Sequence, residues 1–125
     1  IEKAKNKNIY DQLVTENISL YLEKFQMKFD LFVFADVFIY IGDLEKIFSQ
    51  ISLKSDSNAK FCFSVEKCKD VEFKLLKSGR YAHSKKYIDR LSKKYDFQVE
   101  AYNETDLRIE SNVPIIGYIF ILKKI

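Results

Sequence analysis

Residues 29–43, FDLFVFADVFIYIGD, constrain this chain more than any other stretch. Positions 31–34 are continuously apolar and aromatic, without the alternation of a strand that wets one face. Such a run predicts a strand covered on both faces, as in a parallel sheet between helices. Gly42 and Asp43 then punctuate the pattern. Leu44, Ile47, Phe48 and Ile51 follow at helical spacing, with Asp43 as the cap. A turn at SDSNA (55–59) leads into a second apolar strand, KFCFSVE (60–66).

The flanks extend the alternation. Residues 1–8 read as the last turns of a helix that Asn8 ends, and residues 9–16 as a short strand centred on Leu13 and Val14. Ile18, Tyr21, Leu22 and Phe25 recur at helical spacing behind Asn17, a good N-cap. Residues 67–83 are polar and irregular. A helix over 84–95 turns Tyr87, Ile88, Leu91 and Tyr95 inward, with Ser84 as its cap. A strand over 97–102 resumes at 107–110, SNVP makes a turn, and IIGYIFILKK closes the chain as a long strand. Strands joined so tightly must be antiparallel neighbours. The whole predicts one α/β domain with a mostly parallel sheet and one antiparallel strand at its end.

Composition narrows the function classes. With 21 basic and 18 acidic residues the formal charge is +3, and only three of the basic residues are Arg, so charge alone does not call for a nucleic-acid partner. The three glycines are isolated, which excludes a glycine-rich phosphate loop within these residues. One His and two Cys do not make a self-contained metal site, and none is expected. No apolar run approaches the ~20 residues of a membrane span, and no membrane partner is expected. The reading expects a cytoplasmic chain with free thiols, Cys62 serving as a small buried hydrophobe.

The strand–helix order ending in an antiparallel hairpin resembles the second half of a class I S-adenosylmethionine-dependent methyltransferase. FDLFVFADVFIYIGDLEKIF is similar to that family's fourth-strand motif, and KFCFSVE to its fifth strand. LLKSGRYAHSKKYIDRL and LRIESNVPIIGYIFILKK resemble a narrower group, methyltransferases associated with tetratricopeptide repeats. IEKAKNKNIYDQLVTENI resembles the helix after the second strand and then the third strand. The resemblance implies a partial, Rossmann-like domain over residues 1–125, the C-terminal part, with the first two strands and their glycine-rich cofactor turn outside the chain. It implies S-adenosylmethionine as cofactor of the parent domain and methyl transfer to a small-molecule or protein acceptor that the sequence does not name. Loss of those strands would leave the fourth strand as an edge. Self-association or a complementing N-terminal half is therefore expected there. The alternative is a non-catalytic remnant, or an interaction module completed by a partner through that edge.

The same resemblance proposes site residues. Glu16, Asn17 and Ile18 fall where the family contacts adenine, although Asn17 is equally a helix cap. Ala35, Asp36 and Tyr40 fall beside the cofactor. Asp36, at the carboxyl end of its strand, would orient an acceptor or take its proton, or would merely cap a turn. His83, flanked by Arg80 and Tyr81 before a helix N-terminus, would meet the substrate and serve catalysis, or would clasp a loop. Arg108 and Glu110 read as a structural ion-pair set.

Overall fold

The structure, a computed structural model, describes residues 1–125. Two short helices come first, α1 (Glu2–Lys7) and α2 (Ile18–Lys24). Asn8, with a left-handed backbone, ends α1, and the Asn17 side chain caps α2 by accepting from the Ser19 and Leu20 N–H groups. Between them residues 9–16 are not a strand, because no strand lies beside them to pair with.

Strand β1 (Phe29–Phe34) runs into a short 3-10 turn, Phe38–Tyr40, and then helix α3 (Glu45–Leu53). Strand β2 (Ser55–Lys67) follows, then a small hairpin of β3 (Phe73–Leu75) and β4 (Tyr81–His83). Helix α4 (Lys85–Lys94) leads to the long hairpin of β5 (Phe97–Glu110) and β6 (Val113–Lys124). Ser111 and Asn112 both take positive φ, the two-residue turn whose twist suits a hairpin.

The sheet runs β3-β4-β2-β6-β5, with β1 beside β2 on the flank that β4 also occupies further along. It is mixed, and the expectation of a mostly parallel sheet is corrected. Only β1–β2 and β2–β4 pair in parallel, whereas β2–β6, β3–β4 and β5–β6 are antiparallel. The cause lies in the connections. Both hairpins are joined too tightly for anything but antiparallel pairing, and the long β6 inserts between β2 and β5.

The core lies on one face. Phe61, Phe63 and Val65 of β2, with Phe120 and Leu122 of β6, pack against Ile47, Phe48 and Ile51 of α3 and Ile88 and Leu91 of α4. The opposite face is open. There Val33, Cys62 and Ile121 stand in register across three strands, and Val33 keeps 64% of its surface exposed. Strand β1 is thus not covered on both faces as its sequence predicted, and it pairs with β2 alone. No helix is long and apolar enough to cross a membrane.

Candidate functional site

Charged side chains gather at the carboxyl ends of β1 and β2. Beyond Phe34 the chain turns sharply at Asp36, which adopts φ 53°, a left-handed conformation that Asp tolerates better than most residues. Its N–H donates to Ser64 Oγ of β2 at 3.2 Å. Its carboxylate accepts from Arg108 Nη1 of β5 at 3.1 Å.

Arg108 is the hub of a larger ion network. Its Nη2 lies 3.1 Å from Glu66 Oε1, and its Nε 3.2 Å from Glu110 Oε1. Arg80 completes the set, with Nε 3.5 Å from Glu66 Oε2 and Nη2 on Glu110. The Glu66 side chain is only 3% exposed. Each of four segments that carried the family resemblance supplies a member: Asp36, Glu66, Arg80, and the Arg108–Glu110 pair. Sequence reasoning passed over Glu66 altogether and left Arg108 and Glu110 as mere partners. The available signal was a carboxylate at position 66, on the same strand face as Cys62 and Ser64, at the end of the run KFCFSVE.

The loop behind this edge is clasped from β4 and α4. Gly42 makes that possible, since a Cβ there would come within 2.7 Å of the Tyr81 ring. His83 Nε2–H donates to the Gly42 carbonyl at 2.9 Å, which leaves Nδ1 as a buried acceptor without a partner. The Tyr87 hydroxyl accepts from Leu44 N–H at 3.0 Å and donates to Asp43 Oδ1 at 3.1 Å. Asp43 in turn accepts from Glu45 N–H at 2.9 Å, one residue before the N-cap of α3, which is Leu44 and not Asp43 as its sequence predicted.

His83 has no exposed surface, and burial holds its imidazole below the ordinary range. A folded pKa below the unfolded one favours the neutral ring in the native state. Stability should therefore be full above about pH 6.5 and fall as pH drops towards the lower folded value. Urea midpoints between pH 7.5 and 5 are expected to show that loss, and His83→Gln should flatten the slope because no other His is present.

The other sequence candidates separate. Glu16, Asn17 and Ile18 share a cavity of about 460 Å³ with Ile41, Asp43, Lys46 and Ile47. Glu16 also pairs with Lys24 at 2.6 Å. Ala35 and Asp36 line a different cavity, of about 260 Å³, with Ser64 and Leu107. Tyr40 projects into solvent, and Tyr81 is half-buried against Gly42 and Phe73.

No family model matches the chain. One curated relative, a MATH and LRR domain-containing protein of Plasmodium falciparum, is 32% identical over 128 residues, covering 98% of this chain and 1% of that protein. Solved structures match more fully in shape. TehB of Haemophilus influenzae gives a TM-score of 0.73 at 16% identity, over 99% of this chain and 44% of that one. The O-methyltransferase of a Brevibacillus brevis trans-AT PKS multienzyme, in complex with S-adenosyl-L-homocysteine, gives 0.74 at 12% identity, over 98% and 52%. A SAM-dependent methyltransferase of Methanosarcina mazei gives 0.68 at 15% identity, over 88% and 65%. The chain has an α/β fold like that of these methyltransferases, and spans between 44% and 65% of their lengths.

Proposed function

We propose that this chain forms the acceptor-side half of an S-adenosylmethionine-dependent methyltransferase site. The observation that carries the reading is the strand order β1-β2-β6-β5, which ends in an inserted antiparallel strand and brings Asp36 to its carboxyl edge. The motifs SGRYAHS and LR-x-E support membership of the narrower group associated with tetratricopeptide repeats.

The residues fit one end of the cofactor. Ile18, Ile41 and Ile47 offer an apolar floor that suits adenine, rimmed by Glu16, Asn17, Asp43 and Lys46, with Asn17 Oδ1 already held by the Ser19 and Leu20 N–H groups and Glu16 by Lys24. The methionine end finds no match in this chain. Gly42 is occupied by the Tyr81 contact, Gly117 by Leu107, and Gly79 by a turn at φ 83°. That end belongs, in this reading, to strands paired on the free edge of β1 and carried by a longer polypeptide or a second chain. Bound S-adenosylmethionine would supply an electrophilic methyl carbon, taken by an acceptor lone pair as the sulfur recovers the bonding electrons. The part played by Asp36 is to orient that acceptor and accept its proton.

Half a site implies weak binding. Calorimetric titration of the 125-residue chain with S-adenosylhomocysteine should give a Kd near the millimolar range, about −4 kcal/mol. Absence of binding at several millimolar ligand would remove the cofactor reading from this chain.

A second reading has its own observation. Leu31 and Val33 are more than half exposed on a strand with one unpaired edge, a template for strand addition. If the edge associates with another copy, sedimentation should detect concentration-dependent growth that Val33→Lys abolishes. A monomer at all concentrations would count against this reading.

A further inference from the structure

Resting on the methyl-transfer reading, we propose that the acceptor side of the site takes an amine, and discriminates against carboxylates and phosphates. The ground is the charge arithmetic of the network around Glu66. Arg108 faces a different carboxylate with each of its three nitrogen groups: Glu110 from Nε, Asp36 from Nη1 and Glu66 from Nη2. Arg80 is shared between Glu66 and Glu110. Two guanidiniums set against three carboxylates leave one negative charge, and both cations are already engaged.

Glu66 is sealed inside, and its Oε2, Arg80 Nε and Arg108 Nη2 are buried without a hydrogen bond and meet only as ion pairs. A carboxylate so desolvated does little for stability compared with an apolar residue of its size. Its effect is to fix both guanidiniums from beneath, so that Arg108 presents Asp36 at the strand end. Asp36 is the member most open to solvent, with 64% of its side chain exposed. It borders the cavity of about 260 Å³ whose other walls include Val33, Phe34, Leu107 and Ser64. A small acceptor with an apolar body fits there, its N–H donating to the Asp36 carboxylate in a charge-assisted bond. An anionic acceptor would meet the Asp36 carboxylate and no cationic side chain among the residues lining the cavity.

The test uses simple probes and no cofactor. The ¹⁵N-labelled chain is titrated at low ionic strength with n-butylammonium, butyrate and inorganic phosphate, following the amides of Ala35, Asp36, Ser64 and Leu107. Butylammonium should shift these amides saturably, while butyrate and phosphate leave them still. Asp36→Asn should weaken the response at least about tenfold. Asp30→Asn, at the far end of the same strand, should leave it unchanged. Arg108→Gln removes a cation bonded to Asp36, so the butylammonium response should persist or strengthen and no response to butyrate or phosphate should appear. Saturation by phosphate or butyrate at the same amides would overturn the proposal, as would a butylammonium response that survives Asp36→Asn. Since the probes need no cofactor, failure here is separable from failure of the cofactor titration.

Discussion

Replacing Gly117 by Ala costs about 3 kcal/mol of folding stability and lowers Tm by roughly 10 °C. Gly117 lies in β6, opposite Glu66 of β2 on one side and Thr105 of β5 on the other. A Cβ there would run into the Val65 carbonyl oxygen and the Leu107 side chain, far inside van der Waals contact. The carbonyl is part of the sheet and cannot swing aside. Relief requires β6 to move from β2 or Leu107 to leave its place, and Leu107 adjoins Arg108. The substitution should therefore loosen the Glu66–Arg108 contact as well as the fold. Thermal unfolding followed by circular dichroism checks the cost. A loss under 1 kcal/mol would mean that the β5–β6 ribbon is not held against β2 as described.

Phe61→Ala should be more damaging, at about 3–5 kcal/mol. Phe61 is fully buried on β2, between β1 and β6. Its ring centroid lies 4.7 Å from that of Phe63, 5.2 Å from Phe48, 5.5 Å from Phe34 and 5.8 Å from Phe97. Truncation opens a cavity that touches β1, α3 and β5 together, and no single neighbour can fill it. Against a total stability of about 5–15 kcal/mol, much of the population would unfold at moderate urea. Cys62→Ala, one residue along on the open face, is the control and should cost far less. Equal losses at 61 and 62 would contradict a one-sided core.

Those two residues also mark what the sequence disclosed. Local signals were dependable: Asn17 and Ser84 make the capping bonds their positions predicted, and Asp43 bonds the first N–H of α3 from one residue before its N-cap. The inward residues of α3 and α4 followed from helical spacing, and the closing hairpin from its tight turn. What failed depended on neighbours. The run at 31–34 predicted cover on both faces, but the chain supplies cover for only one. SDSNA looked like a turn because it is polar, yet it opens β2, where Ser55 lies opposite Phe29. The apolar residues of 9–16 met no partner strand. The ion network was illegible because Asp36 and Arg108 are 72 positions apart, and charges at strand ends ordinarily signal solvent. His83 illustrates the same limit. Its place before a helix N-terminus was compatible with a ligand contact or a loop clasp, and its Nε2–H donates to the Gly42 carbonyl as a clasp would.

We propose that the carboxyl edge of β1, together with the cavity at Asn17, is half of a cofactor site. It is tested most directly by mapping S-adenosylhomocysteine on the ¹⁵N-labelled chain at millimolar concentration. Saturable shifts confined to residues 16–18, 35–36 and 41–47 are expected, with residues 69–76 of the β3 segment unmoved. No shifts, or shifts centred elsewhere on the sheet, would contradict it.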